Sequence, residues 1–547
     1  MAEGVFLYPF CGGSYPYADK NVAPQRTINF YPEQIETEDG RVQFSLRPTE
    51  GESKIELDYE FNGPCRGLWW SSTGPDGRSC LFGVWGTEFI RIRKLGTGAL
   101  HAARLGNVGE GTNTCSICDN GFIVLVTDGT TMFGTNLTAS DIEARNAYQQ
   151  VHMPLLGNDG TYEARATFIG YLNQRFVCNA AEGIASSRGC FLFTNEAIDD
   201  IANMSWHWDN TAPAELRDTP QYYSAEQNAD ALLALMVNEG NIYLFGERSF
   251  EVWTTNSGQD SYDPFSFVGG SQNQIGVQAP YSVAGIQRFV FWLGGSSGGR
   301  NMVFCATGSE PPQRVSTNAI EHIISGKKVR SAAYGFCYAR DGHLFYCLTF
   351  PDDGTTLVYD LATKMWHERS SHNWKTGDMA PWKVRYATVA FDNMVYFGSS
   401  ADESGISHLC RLEEDRGTDM DGNPIVRRRV SPVVWDSEKK VYIRDFVIDA
   451  EIGTTKYLND APNPDIVSDI VCSSDANPTA QLRISRDGGM TWHDSAWRKF
   501  GRTGQYTKFL RWKNLGSGRY IAVELTISEK TPIIIAACRI SADASLI

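Results

Sequence analysis

Short strand-like runs, each closed by a turn signal, are the feature that most constrains this chain. Within residues 331–370, YGFCYA ends at the turn Arg340-Asp341-Gly342, and HLFYCLTF ends at a Pro-Asp-Asp-Gly turn. TTLVYD and MWHERS follow, so this stretch holds four runs in succession. Each run is shorter than the about 10–12 residues that a helix needs, and the pattern therefore predicts antiparallel meanders of β-strands.

The same pattern recurs along the first three quarters of the chain. Residues 231–255 contain three predicted strands. Weaker examples of the same succession of strands and turns occur at 64–95, 115–136, 165–194, 281–306 and 384–412. Comparable strands are roughly 45–60 residues apart, which is the spacing of β-propeller repeats. Closing such meanders into a ring buries their faces and removes most exposed sheet edges. We therefore predict an all-β fold with a β-propeller of about six to eight blades over residues 63–430.

The composition changes after residue 413. Residues 413–430 are polar, charged and broken by Gly and Pro, which predicts a linker or long loop. Arg427, Arg428 and Arg429 are interpreted as the solvated face of this loop, with docking of an acidic partner as the alternative. Six strands from residue 433 onward predict a C-terminal β-sandwich-like domain. The predicted division is an N-terminal arm with the first strands over 1–62, the propeller over 63–430, and the C-terminal β domain over 431–547.

One motif suggests chemistry. SRDGGMTW fits the Asp-box pattern, with Ser485, Asp487, Gly489 and Trp492 at its defining positions. The Asp carboxylate can accept backbone N–H bonds, the glycines can take positive φ, and the Trp can pack on the flank. We interpret it as a structural hairpin turn followed by a strand opening at Met490. A glycosidase is the alternative.

Other sequence signals give no catalytic, cofactor or metal site. GGSSGG fits G-x-S-x-G around Ser296 and Ser297, but a strand follows where a nucleophile elbow needs a helix. Asp419 and Asp421 match only a fragment of a calcium loop. Cys115 and Cys118 form a C-x-x-C without a second pair at zinc-finger spacing. In LVYDLATKMWHE, which is similar to kelch-type blades, Asp360 is predicted to hold the turn and Trp366 to pack against a neighbouring blade.

Composition excludes several classes of protein. The net charge of -15 argues against a dedicated nucleic-acid binder, although a local basic face remains open. The thirteen scattered cysteines indicate reduced thiols in a cytosol-made protein. The N-terminus has no basic and apolar regions of a signal peptide, and no apolar run approaches the about 18 residues of a membrane span. We expect a soluble protein without a membrane anchor.

Three ordered blocks resemble one known family. They are PQRTINFYPEQ at 24–34, the run from GNIYLFGERSFEVWTT to LVYDLATKMWHERS, and a closing unit that contains IRDFVIDAEIG, the Asp-box and RYIAVELTISEKTPIIIAACRI. Together they are similar to the packaged DNA stabilisation proteins of short-tailed bacteriophages. This resemblance implies a structural virion protein, the tail nozzle or hub, which forms a hexameric ring below the portal and adaptor rings. No catalytic residue comes with the resemblance.

The resemblance also implies partners and a place. The ring would extend the DNA ejection channel, help to retain the packaged genome, and contact portal and adaptor proteins, tail spike or fibre, and plug or needle proteins. DNA would pass without sequence-specific binding. The protein would be made in the host bacterial cytoplasm and reside in the phage tail. Six copies with a net charge of -15 each would carry about -90, so we expect an acidic lumen that repels DNA.

Two other functions remain open. A carbohydrate-binding or glycoside-cleaving β-propeller acting on the host surface would account for the Asp-box and the 14 Trp residues. A cellular kelch-like adaptor would show more regular repeats. Compared with compact members of the resembled family, we expect the extra length in loops at 138–165, 256–280 and 454–480.

Overall fold

The computed structural model describes most of the chain. It covers residues 4–545 except 17–23, 37–41, 112, 154–164, 182–188, 210–211, 226–229, 257–261, 297–298, 352, 354–355, 437–438, 451–476, 502–504 and 506–507. Strands dominate the described residues. The helices are short: α1 (Asp141–Ala147) and α2 (Asn318–Ser325), with single 3-10 turns at Pro75–Gly77, Ile201–Asn203, Pro280–Ser282, Arg330–Ala332 and Phe391–Asn393.

Seven strands come before the first of the consecutive sheets. They are β1 (Gly4–Leu7), β2 (Tyr15–Pro16), β3 (Pro24–Ile28), β4 (Phe30–Glu36), β5 (Val42–Pro48), β6 (Gly51–Lys54) and β7 (Phe61–Asn62).

The next six sheets are built almost entirely from consecutive strands. The first three comprise β8 (Cys65–Ser71), β9 (Cys80–Trp85), β10 (Glu88–Lys94), β11 (Leu100–Asn107); β12 (Ser116–Asp119), β13 (Ile123–Thr127), β14 (Met132–Asn136), β15 (Gln149–Val151); and β16 (Ile169–Leu172), β17 (Arg175–Asn179), β18 (Cys190–Phe193), β19 (Tyr222–Ser224). The next three comprise β20 (Leu232–Asn238), β21 (Asn241–Gly246), β22 (Phe250–Thr255), β23 (Phe265–Phe267); β24 (Ile275–Val277), β25 (Ala284–Ile286), β26 (Phe289–Ser296), β27 (Gly299–Thr307), β28 (Gln313–Arg314); and β29 (Tyr334–Arg340), β30 (His343–Thr349), β31 (Thr356–Asp360), β32 (Met365–Arg369).

A small hairpin, β33 (Ser371–His372) and β34 (Met379–Ala380), separates the sixth sheet from the seventh. The seventh sheet contains β35 (Val384–Ala390), β36 (Met394–Ser399) and β38 (Leu409–Glu413), while β37 (Ile406–Ser407) pairs with β7. Its outermost strand is β6, which comes from the beginning of the chain and pairs antiparallel with β38.

These sheets form a closed ring of seven blades within the described residues. The strands β8, β12, β16, β20, β25, β29 and β35 lie side by side in that order, and β35 lies beside β8. A strand from the N-terminal end of the ring thus completes the last blade, so closure depends on strand pairing rather than on a covalent link. Apolar clusters fill the space between neighbouring blades, with Trp85 and Trp292 among the largest fully buried side chains.

The C-terminal strands form a sandwich with the N-terminal ones. They are β39 (Arg427–Val430), β40 (Lys440–Ala450), β41 (Thr479–Ser485), β42 (His493–Asp494), β43 (Arg498–Lys499), β44 (Leu510–Gly518), β45 (Ala522–Ile527) and β46 (Ile535–Ser545). One sheet has the order β4-β5-β46-β40-β44, with β1 beside β46. The other contains β3-β39-β45-β41-β42 and continues from β3 into the sixth blade.

The alternation of β40 explains the sandwich core. Its Val441, Ile443, Phe446 and Ile448 are buried between the two sheets, whereas Asp445 faces outward at intermediate exposure. This period-two pattern places one face on the core and leaves the other to solvent. The predicted fold class, an all-β chain with a propeller followed by a β-sandwich, is confirmed. The meanders predicted at 231–255 and 331–370 are also confirmed as β20–β22 and β29–β32.

The predicted loops have mixed outcomes. The segment 256–280 is not simply a loop, because it contains β23 and β24. The segment 138–165 contains α1, whose N-terminus is closed by a capping box between Ser140 and Glu143, and β15. Most of 454–480 lies outside the described residues.

Candidate functional site: the junction between propeller and sandwich

The segment from β3 to β6 belongs to both halves of the molecule. Within it, β3 pairs with β39 of the sandwich and, through Ile28 and Glu368, with β32 of the sixth blade. The following strands β4 and β5 enter the opposite sandwich sheet, and β6 closes the propeller. One stretch of about 30 residues therefore ties the ring closure to the sandwich, and we treat its contacts as the candidate functional site of a structural protein.

Glu368 anchors β3 to the sixth blade. Its side chain is 1% exposed, and Arg26 donates to it through Nε at 3.0 Å. Ser14 also donates to Glu368 at 3.2 Å. The charge of Glu368 raises the pKa of Arg26 despite burial, which acts in the opposite direction. The buried carboxylate thus has both an ionic partner and additional hydrogen bonds, the condition under which such a pair is tolerated in a protein interior.

Arg369 makes the second anchor. It donates to the carboxylate of Glu50 at 2.8 Å, to the carbonyl of Glu50 at 3.0 Å and to the hydroxyl of Tyr338 at 2.9 Å. Its guanidinium lies 3.8 Å from the ring centre of Trp382. Trp382 in turn donates to Glu52 at 2.7 Å. Burial raises the pKa of Glu52, although the hydrogen bond from Trp382 opposes this. The network holds the residues flanking Gly51, the first residue of β6, against the sixth and seventh blades.

The sequence interpretation of the arginine triplet is wrong for two of its three members. Arg427 and Arg429 are 0% exposed, because β39 is not a loop but a strand paired on both sides, by β3 and by β45. Alternation sends these two side chains inward and leaves Arg428 half-buried, 4.0 Å from Glu524. The stretch before β39 is polar and broken by Gly and Pro, so the local pattern predicted a loop where this strand lies.

The two buried arginines are held largely by oxygens of the backbone. Arg429 donates to the carbonyls of Phe10 and Gly13, at 2.6 and 2.9 Å, and to the hydroxyl of Thr27 at 2.6 Å. Arg427 donates to the carbonyl of Glu529 at 3.3 Å. Burial lowers the pKa of Arg427 to about 9 and that of Arg429 to about 10. Arg429 therefore fixes a chain crossing inside the junction, and neither buried guanidinium is presented to a partner.

The Asp-box folds as a turn. Asp487 accepts hydrogen bonds from the amide of Met490 at 3.0 Å, from the amide and hydroxyl of Thr491 at 2.9 and 2.6 Å, and from the hydroxyl of Ser485 at 2.7 Å. Burial would raise the pKa of Asp487, but these hydrogen bonds outweigh it and lower the pKa to about 2. The carboxylate is thus fully engaged within its own turn.

Its other defining residues support the same geometry. Gly489 has φ of 99° and donates its amide to Ser485 at 2.7 Å. Trp492 is half-buried, with the guanidinium of Arg483 at 5.9 Å from its ring centre. The strand expected at Met490 begins instead at His493, because the turn bonds of Asp487 extend through Thr491.

The kelch-like turn is confirmed. Asp360 accepts from the amide of Ala362 at 3.0 Å and from the hydroxyl of Thr363 at 2.6 Å. Trp366 is 2% exposed and donates to the carbonyl of Val315, which follows the preceding blade. Both residues stabilise the ring.

The remaining motifs lie in ordinary structure. Ser296 ends β26 in a hairpin with β27, while Ser297 lies outside the described residues. Asp419 accepts from the amides of Asp421 and Asn423, and Asp421 pairs with two lysines. Cys115 and Cys118 are buried free thiols. Within the described ranges, no group of three or more His, Cys, Asp or Glu side chains is arranged to hold a metal ion.

One surface was not found by sequence reasoning. On the outer face of the β40-containing sheet, a groove of about 250 Å³ lies between Asp445, Phe509, Arg511 and Arg539. The available signal was the stretch 495–523, which has seven Lys and Arg and no Asp or Glu in a chain of net charge -15.

Two family models match the chain. Residues 204–406 match the model described as Bacteriophage P22 Gp10, beta-propeller, and residues 426–543 match Bacteriophage P22 Gp10, beta-sandwich. The matches follow the order of the two folds in the structure and together cover more than half of the chain. The chain belongs to the bacteriophage P22 Gp10 family. It is a phage protein of the packaged DNA stabilisation family, a structural and generally non-enzymatic group.

Two solved structures illustrate a weaker likeness, at about 10% identity. The extracellular domain of a putative one-component system from B. thetaiotaomicron is 11% identical, with a TM-score of 0.38, over 90% of this chain and 60% of that one. This chain thus corresponds to less than two thirds of that protein's length. The AfRom2 CNH domain is 9% identical, with a TM-score of 0.35, over 66% of this chain and 99% of that one. Scores this low carry no information on function. None of the curated proteins matches the chain.

In the part of the chain that the structure describes, no helix has the length and apolar character needed to cross a bilayer.

Proposed function

We propose that this Gp10-family protein forms the tail nozzle, or hub, of a short-tailed phage. In this proposal six copies assemble into a ring below the portal and adaptor rings, extend the channel for DNA ejection, and help to retain the packaged genome. The observation that carries the proposal is the match of both folds, in order, to a family of phage DNA stabilisation proteins. The protein would act in the virion without catalysing a reaction.

The junction supports a mechanical role. A channel wall under load must resist opening at its weakest point, which in a propeller is the blade closed by strand pairing alone. Here Glu50 and Glu52 flank Gly51 of the closing strand and are buried against Arg369 and Trp382. The preceding part of the same segment is fixed to the sixth blade by the anchor between Arg26 and Glu368.

Within the proposal the channel wall is acidic. A ring of six such chains would carry about -90, and like charge keeps DNA phosphates from adhering during ejection. An acidic wall predicts that ejection, once triggered, is not slowed at low ionic strength. A basic wall would bind phosphates most strongly there and would slow ejection.

The test is co-assembly with the neighbouring tail proteins. Purified full-length protein is mixed with portal–adaptor complexes and imaged by negative stain. The proposal predicts a ring below the adaptor and, in particles that lack this protein, loss of packaged DNA. Failure to bind the complexes, together with normal genome retention in such particles, would refute it.

The alternative function on host carbohydrate gains nothing from the Asp-box. The carboxylate of Asp487 accepts hydrogen bonds from Ser485, Met490 and Thr491 within its own turn. This motif therefore offers no acid or base to a substrate. Hydrolysis of host polysaccharide by the isolated protein would nevertheless overturn the non-enzymatic assignment.

A further inference from the structure

The outer face of the β40-containing sheet is basic and partly apolar. The side chains of Arg511 and Arg539 are 52% and 48% exposed. Phe509, which lines the same groove, is 54% exposed. The guanidinium of Arg539 lies 5.8 Å from the centre of that ring. An exposed aromatic ring beside arginines has the composition of an interface centre, since both residue types are enriched there.

Among the described residues, the charge of this face is not balanced locally. Asp445 accepts from Arg511 at 2.9 and 2.8 Å, and Asp449 lies 3.8 Å from Arg539. These two carboxylates account for the two arginines. Lys508 and Lys513 are exposed. Lys513 lies opposite Asp445 in the strand register. The hydrogen bond from Arg511, which already pairs that carboxylate, lowers its pKa, and the charge of Lys513 helps to lower it. The excess is therefore positive, on a chain whose overall charge is strongly negative.

A complementary surface exists on the propeller. Glu56, Asp58 and Glu60 are exposed and alternate with half-buried residues that pack against the propeller core. Asp58 contacts His101 at 2.9 Å, while Glu56 and Glu60 make no ion pair in the described part of the chain. We call Glu56, Asp58 and Glu60 the acidic edge, and Lys508, Phe509, Arg511, Lys513 and Arg539 the basic face. No ion pair joins the two surfaces within the described chain.

We propose that the basic face of one copy of this chain docks onto the acidic edge of the next copy. Because the two surfaces are different parts of the chain, each copy can use its basic face on one neighbour and its acidic edge on another. In the ring of the proposed function the contact is head-to-tail, the arrangement that generates rings when the rotation closes. The inference rests on the ring in the proposed function and specifies which surfaces build it.

The experiment uses two variants of the full-length chain with opposite charge changes. Lys508→Glu/Lys513→Glu makes both surfaces acidic, and Glu56→Lys/Glu60→Lys makes both basic. Self-association is measured by sedimentation velocity at about 50 mM and about 500 mM salt, because exposed charge pairs weaken on screening. The wild type is expected to associate more weakly at high salt, and each variant alone is expected to associate at least about tenfold more weakly than the wild type.

Mixing the two variants provides the decisive measurement. An equimolar mixture pairs an acidic surface with a basic one at every contact and is expected to regain self-association. Lys328→Glu/Lys364→Glu is the matched control, with the same charge change at exposed lysines that belong to neither surface, and it should associate like the wild type. Thermal unfolding of each variant verifies that the fold is intact.

Several results would overturn the inference. One is a wild-type chain that remains monomeric at every concentration, and another is a mixture that associates no better than its components. A lysine variant that self-associates normally but loses binding to a DNA oligonucleotide would make the basic face a nucleic-acid site instead. Normal self-association without binding to portal–adaptor complexes would refute the proposed function and leave this inference standing.

Discussion

Replacing Arg369 with Ala should loosen the closing blade of the propeller. The Arg369 side chain is 1% exposed and that of Glu50 is 4% exposed, so the substitution leaves a buried carboxylate without its cation. Breaking one side of a buried ion pair costs about 3–5 kcal/mol. Loss of the contact with the ring of Trp382, 3.8 Å away, adds to this cost. Because Glu50 directly precedes β6, we expect the cost to appear first as local opening of that strand.

Amide hydrogen exchange measures this opening directly. The amides of Glu52 and Ile55 donate to the carbonyls of Thr418 and Leu409, both at 2.9 Å, and they become free when β6 detaches. A loss of about 3 kcal/mol corresponds to exchange more than about 100-fold faster at these amides. Arg369→Met/Glu50→Met should cost less than Arg369→Ala, since no charge is left unpaired.

Arg175→Ala is the matched control for this experiment. Arg175 is also a buried propeller arginine, bonded to Thr194 and Glu196 in the third blade. Its loss should accelerate exchange there and leave β6 unchanged. Exchange of the β6 amides in Arg369→Ala that rises less than about tenfold would refute the role of Arg369 as the anchor of the closing strand.

Three further changes test other parts of the account. Gly51→Ala should destabilise the protein by about 1–3 kcal/mol in urea unfolding, because the added Cβ would lie 2.3 Å from the carbonyl oxygen of Arg416. Gly269→Ala, which has open space around it, should be close to neutral. Equal effects of the two substitutions would contradict this reasoning. Asp487→Ala should remove the hydrogen bonds of the turn and lower the free energy of unfolding by about 1 kcal/mol. Because the pKa of Asp487 is lowered to about 2, the wild type should lose this stability as pH falls from about 4 to about 2. An identical dependence of stability on acid pH in the variant would contradict this role of Asp487. Burial lowers the pKa of His367 from 6.5 to about 3, so stability should fall as pH drops from 6.5 toward 3, and less steeply in His367→Phe; parallel profiles would exclude His367 as the cause.

Local patterns predicted the propeller well because each blade is built mostly from neighbouring segments. The turns at Asn238-Glu239-Gly240 and Arg340-Asp341-Gly342 separate strands that pair with each other, so strand content and topology can both be read along the chain. The same applies to the Asp-box, whose bonds lie within seven residues. The division into 1–62, 63–430 and 431–547 stays a prediction.

The junction could not be predicted, because its partners are distant in sequence. Glu50 and Arg369 lie 319 residues apart, and Arg429 binds carbonyls more than 400 residues away. Nothing in the residues around β3 and β6 indicates which distant strand each will join. For the same reason the arginine triplet, read within its own polar stretch, indicated solvent exposure, although its pairing with β3 and β45 buries Arg427 and Arg429.

The most direct test of the nozzle is an image of the intact phage tail at a resolution that allows this chain to be placed. The account predicts copies of the chain in a ring around the tail axis below the adaptor, with the DNA path through the centre of the ring. The propeller and the sandwich should have the same relative orientation in every copy. Finding the chain only at the tail periphery, away from the DNA path, would contradict it.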